Sequence, residues 1–131
     1  MAGERAAAAA LACVGAPFRL HGRDPASGLD CVGVAAVALA AAGWRGAVPG
    51  GYALRGGVPE RVAASLDAGL QRCAADELGA ILLCRPGPAQ LHLAVRVEGG
   101  VVHADAALRR VVERPGTLPW PLIGAWRAED S

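Results

Sequence analysis

Apolar and polar positions along the chain change their period near residue 79, from helical spacing to the two-residue alternation of strands. Before that point three helices are predicted. The first runs from about Gly3 to Val14 and is ended by Gly15 and Pro17. The second follows a polar loop, Arg19 to Leu29, and carries the apolar run from Cys31 toward Gly43. Val32, Val34, Val37, Leu39 and the intervening alanines leave it no polar face, so burial on most sides is expected. The third, about Pro59 to Ala75, opens with Pro at its first position and spaces Val62, Leu66 and Leu70 along one side. Between the second and third helices lies a stretch rich in Gly and Pro, Gly43 to Pro59, holding Trp44, Tyr52 and Gly56-Gly57, which reads as a long irregular and functional loop. After residue 79, Gly79–Arg85, Leu91–Val97, Val101–Asp105, Leu108–Glu113 and Leu122–Arg127 read as strands. Helices followed by consecutive strands indicate an α+β fold with an antiparallel sheet of about five strands.

Composition narrows the function classes. The 131 residues fit a single domain, 1–131, around one core. A net charge of +1, with the basic residues scattered, gives no electrostatic footprint for nucleic acid. The uncharged stretch Cys31–Trp44 falls short of the roughly 20 residues that span a bilayer, so no membrane span is expected. At the start, Arg5 and Ala10-Leu11-Ala12-Cys13 imitate a secretion signal, but Glu4 and the unbroken run into Pro17-Phe18-Arg19 favour a helix packed on the core. Cytoplasmic synthesis without an export signal is the resulting expectation, with Cys13, Cys31, Cys73 and Cys84 as free thiols.

The chemistry centres on Cys31, placed where a loop becomes a helix. Unpaired N–H groups and the positive end of the helix dipole at such a position are expected to lower the thiol pKa. Ser27, Ser65, Ser131 and Thr117 lie in no nucleophile elbow, which leaves Cys31 as the default nucleophile. His21, His92 and His103 are the candidate bases. In Leu91–Val97 the odd positions are apolar and face the core, so His92 lies on the other face with Ala94 and Arg96. A turn centred on Glu98-Gly99 sets His103 across from Ala94, one diagonal step from His92; centring it on Gly99-Gly100 moves His103 across from Arg96, too far without a bulge. The first register is expected, giving a relay in which His92 takes the thiol proton and His103 orients His92. The chain has no Asn, so an amide cannot fill that orienting role. Asp30 is expected to cap the helix or bind a substrate cation with its charge turned from the thiol. His21 reads as a surface or substrate-rim residue, and Cys13, Cys73 and Cys84 as packing residues. Cys31, His92 and His103 match no compact zinc-ligand spacing; neither a metal nor another cofactor is expected.

Gly15-Ala16-Pro17-Phe18-Arg19, Gly28-Leu29-Asp30-Cys31-Val32-Gly33, His92-Leu93-Ala94-Val95 and Val102-His103-Ala104 occur in that order. Together they resemble the NlpC family of papain-like cell-wall peptidases, and most of all its short subtype found with phage tails and gene transfer agents. The resemblance covers about residue 5 to Arg127, and Gly22 to Cys31 is its most specific part. It implies a papain-like fold and hydrolysis of peptidoglycan stem peptides, typically at the γ-D-glutamyl to diamino acid bond, through a thioester. By resemblance Cys31 is the nucleophile, His92 the base and His103 the third polar residue, with Asp30, Phe18 and His21 near the substrate. Three departures bear on specificity: Phe18 replaces the usual tyrosine, Val32 the usual serine, and Gly79-Ala80 the usual Gly-Asp. The partners implied are the stem peptide and the tail or baseplate proteins of a phage-like particle that acts on the periplasmic cell wall. Two other readings stay open, a catalytically weak or inactive structural hub and a thioester-dependent acyltransferase.

Overall fold

The computed structural model describes residues 1–46, 48 and 58–128. Tyr52, Gly56 and Gly57 of the expected functional loop lie outside the described residues. Helix α1 (Ala2–Ala12) leads into a two-stranded antiparallel ribbon, β1 (Arg23–Asp24) and β2 (Gly28–Leu29), and then into α2 (Cys31–Ala41). Helix α3 (Pro59–Gly69) precedes β3 (Gln71–Arg72), β4 (Ile81–Gly87), β5 (Gln90–Val97), β6 (Gly100–Asp105), β7 (Arg110–Pro115) and β8 (Leu122–Arg127). Strands β3 to β8 form one antiparallel sheet in the order β3-β8-β4-β5-β6-β7.

The fold is the expected α+β arrangement, with a sheet one strand larger. The additional strand comes from the end of the third predicted helix, which stops at Gly69 rather than near Ala75. Leu70 turns to an extended conformation and Gln71 and Arg72 pair with Arg127 and Trp126 of β8. Free hydrogen-bonding groups along that edge compete with further helical turns. Asp67 secures the junction by accepting from Arg72 Nε at 2.8 Å and Trp126 Nε1 at 2.8 Å. Arg72 also lies over the Trp126 ring, 4.7 Å from its centroid.

The sheet carries apolar side chains on both faces. On one, Leu91, Leu93, Val95 and Val97 of β5 join Ala6 and Ala10 of α1 and Val32, Ala35 and Leu39 of α2 in the main core. On the other, Leu82, Cys84, Ala94, Val101 and Ala125 form a smaller cluster against which Leu118 and Trp120 pack. The even positions of β5, expected to face outward, are therefore partly covered by the segment joining β7 to β8. Among the described residues, no helix is long and apolar enough to cross a membrane.

Helix α2 meets the β1-β2 ribbon at backbone distance. A Cβ on Gly33 would stand 2.2 Å from the Gly22 carbonyl oxygen, and neither backbone can yield without moving the helix start. Gly33→Ala is expected to cost about 2 kcal/mol of stability, as overpacking does, read as a lowered urea midpoint with an unchanged slope. An unchanged midpoint would show that the ribbon gives way freely.

Candidate active site

Asp30 organises the start of α2. Its Oδ1 accepts the Gly33 N–H at 2.8 Å, satisfying one of the free donors of the first turn, and the Asp30 carbonyl accepts from Val34 N at 3.0 Å. The same carboxylate accepts from Arg23 Nη1 at 2.9 Å and, through Oδ2, from the His21 N–H at 2.7 Å. With 4% exposure and these donors, Asp30 acts as the expected helix cap, its charge matched by Arg23. His21 takes a left-handed backbone, φ 63°, to present that N–H, and its side chain is absent from the lining of the cleft beside Cys31.

Cys31 is the first residue of α2. It stands where β5 and β6 part, for their pairing runs from Val97↔Gly100 to Val95↔Val102 and goes no further. At that opening the Leu93 N–H faces the Cys31 sulfur, as do the N–H groups of Val32 and of Cys31 itself. These donors favour the thiolate, yet burial outweighs them and the Asp30 charge adds to burial, pushing the thiol up to about 11. The expectation of a thiol pKa lowered by the helix terminus is thus overturned. The helix start that supplies the dipole is itself packed into the core, where an ion loses its hydration.

The β5–β6 turn has the register in which Val97 pairs with Gly100, centred on Glu98 and Gly99 with Gly99 left-handed at φ 76°. Continued, that register sets His103 level with Ala94, the diagonal neighbour of His92. The two imidazoles meet as expected, His92 Nε2 to His103 Nδ1 at 2.9 Å. Burial and the neighbouring His103 hold His92 down at about 4, and burial also lowers His103, which is 3% exposed. At neutral pH thiol and imidazoles are all uncharged.

An open cleft of about 300 Å³ brings Cys31 and His92 together. Phe18, Leu20, Leu91, Ala104 and Ala106 give it apolar walls, and Pro86 and Gln90 close its end where the β4–β5 ladder is bulged. Phe18, expected near the substrate, forms one of these walls. Leu20, Gln90 and Ala106 had no sequence signal, being unremarkable residues on turns and strand ends. Trp120 was also missed. It stands edge to face with both imidazoles, 5.2 Å from His92 and 4.8 Å from His103, and its setting in Pro119-Trp120-Pro121 is a signal of a fixed aromatic. All four cysteines are free; Cys13 and Cys84 are buried, and Cys73 is half-buried.

The architecture matches solved structures of one family. An NlpC protein from Trichomonas vaginalis aligns over 98% of this chain and 45% of its own, at 22% identity and a TM-score of 0.73. An NlpC/P60 family protein from Bacillus cereus aligns over 96% of this chain and 40% of its own, at 18% identity and TM-score 0.66. The P60 domain of an antigen from M. avium subspecies paratuberculosis aligns over 97% of this chain and 93% of its own, at 18% identity and TM-score 0.60. The fold is that of NlpC/P60 proteins. This chain spans less than half the length of the first two. No family model matches the sequence, and no curated protein is similar to it.

Two titrations check the electrostatics of this site. The ultraviolet absorbance of a Cys31 thiolate, taken as wild type minus Cys31→Ser, is expected to be absent at pH 7 and to emerge as pH approaches 11; a signal already present at pH 6 would show a preformed ion pair. For stability, a His92 pKa depressed from 6.5 to about 4 means that the unfolded chain binds the proton first. Its contribution is full above pH 6.5 and is lost between pH 6.5 and 4, on the order of 3 kcal/mol. Urea unfolding at both ends of that window should show a smaller acid loss in His92→Gln than in wild type.

Proposed function

We propose that the chain is a cysteine peptidase or amidase that hydrolyses peptidoglycan stem peptides at γ-D-glutamyl to diamino acid bonds. The observation carrying this reading is the convergence of Cys31 and His92 in one cleft, with His92 bonded to His103 at 2.9 Å. The fold shared with NlpC/P60 proteins and the Gly22–Cys31 motif supply the substrate class. The same motif supports a setting in a phage-like tail or gene transfer agent.

Because thiol and imidazole are both neutral at rest, attack proceeds by general-base catalysis. As the sulfur bonds to the substrate carbonyl carbon, its proton passes to His92 Nδ1, the nitrogen not engaged by His103. The developing oxyanion faces the Cys31 and Val32 N–H groups at the start of α2, those of Gly33 and Val34 being taken by the Asp30 side chain and carbonyl. His92 then returns the proton to the departing amine, leaving a thioester. Water, deprotonated by His92, releases the acyl fragment and restores the thiol. His103 holds the imidazole plane throughout.

A second reading, a catalytically weak module of a tail assembly, draws on the thiol held near 11. Digestion of purified peptidoglycan separates the two. The peptidase reading expects stem-peptide fragments from wild type and a fall of at least about a thousandfold for Cys31→Ala and for His92→Gln. Equal release by wild type and Cys31→Ala would sink it.

A further inference from the structure

The relay leaves one polar atom unexplained. His103 turns Nδ1 toward His92, and its other nitrogen, Nε2, is buried with no hydrogen-bond partner. The neighbouring ring is Trp120, with centroids 4.8 Å apart and planes inclined by 80°. Rings at that spacing and angle set an edge of one against the π face of the other, an arrangement in which an N–H at the edge is attracted to the face. A bare nitrogen lone pair there would be repelled, because the face of an aromatic ring is negative.

The distinction matters because two neutral histidines can share their proton in two orders. In one, His92 Nε2–H donates to His103 Nδ1; His103 then carries its proton on Nε2, and His92 Nδ1 is bare. In the other, His103 Nδ1–H donates to His92 Nε2; His103 Nε2 is bare, and His92 Nδ1 holds a proton and cannot accept one from a thiol. Two neighbours bear on the choice, the Ala104 backbone, which accepts from the His103 ring, and the surroundings of the otherwise unpartnered Nε2.

We propose that Trp120 is a positioning residue whose indole accepts the His103 Nε2–H, selecting the order in which His92 Nδ1 is free to take the thiol proton. Its catalytic consequence rests on the peptidase reading above; the tautomer assignment does not. The ring is held for this task by Pro119 and Pro121 on either side and by the Arg114 guanidinium, 5.5 Å from its centroid. His92 completes the enclosure, its plane 88° from that of His103 and 84° from that of Trp120.

Nitrogen-15 NMR of the imidazoles at pH 7, without substrate, tests the assignment. Wild type is expected to show His103 protonated at Nε2 and bare at Nδ1, with His92 protonated at Nε2. Trp120→Phe keeps a π face and should keep that order, whereas Trp120→Leu keeps an apolar cover without one and should show both orders mixed. On a soluble stem peptide, Trp120→Leu should lower kcat roughly tenfold with KM within about twofold, and Trp120→Phe should recover most of the loss. A wild type with His103 protonated at Nδ1, or a folded Trp120→Leu with the wild-type order, would overturn the proposal. The wild-type spectrum decides even if the leucine variant does not fold. A wild type that hydrolyses nothing but shows the expected order defeats the peptidase reading and supports the assignment, and an active wild type with the opposite order does the reverse.

Discussion

The Asp30 carboxylate gathers three separate pieces of backbone and side chain at the start of α2: the Gly33 N–H, the His21 N–H and the Arg23 guanidinium. Capping fixes the first turn of the helix, the contact to His21 holds the polar loop, and Arg23 compensates a charge that is almost fully buried. With Gly33 pressed against Gly22, these bonds leave the helix little freedom to rotate or slide. The sulfur of Cys31, the next residue, takes its position from this cap. Departures from that geometry would be felt at the cleft before they were felt in the sheet.

Cys31 and the two imidazoles approach from opposite faces of the sheet. Helix α2 packs on the face of Leu93 and Val95, while His92 and His103 belong to the face of Ala94 and Val101. They meet because the β5–β6 ladder ends at Val95↔Val102, leaving a gap into which the helix start projects. The same enclosure governs the charges. Removal from water disfavours thiolate and imidazolium alike, so both groups favour their neutral forms.

Particular residues explain how far the sequence could be read. The His92–His103 contact was legible because a turn centred on Glu98-Gly99 determines parity and register together, and side chains on a strand alternate without exception. Helix α2 and its Asp30 cap were legible because both are local. The end of α3 was not, since Gln71 and Arg72 become a strand through an edge contributed by β8, more than fifty residues away in sequence. Trp120 was not, since a lone aromatic between prolines acquires a role only through the rings it meets.

Alternation, turn chemistry and capping therefore determined the α+β order, the hairpin register and the identity of the candidate site residues from the chain alone, because each depends on neighbours a few positions apart. The protonation of that site belonged to the tertiary structure. A helix start favours a thiolate wherever it occurs, but the energy of an ion depends on how much water its surroundings exclude, and around Cys31 those surroundings come from α2, β5 and the main core together. Likewise the proton order of His92 and His103 turns on the ring packed against a buried nitrogen, a contact made only when the β7–β8 connection folds back across the sheet.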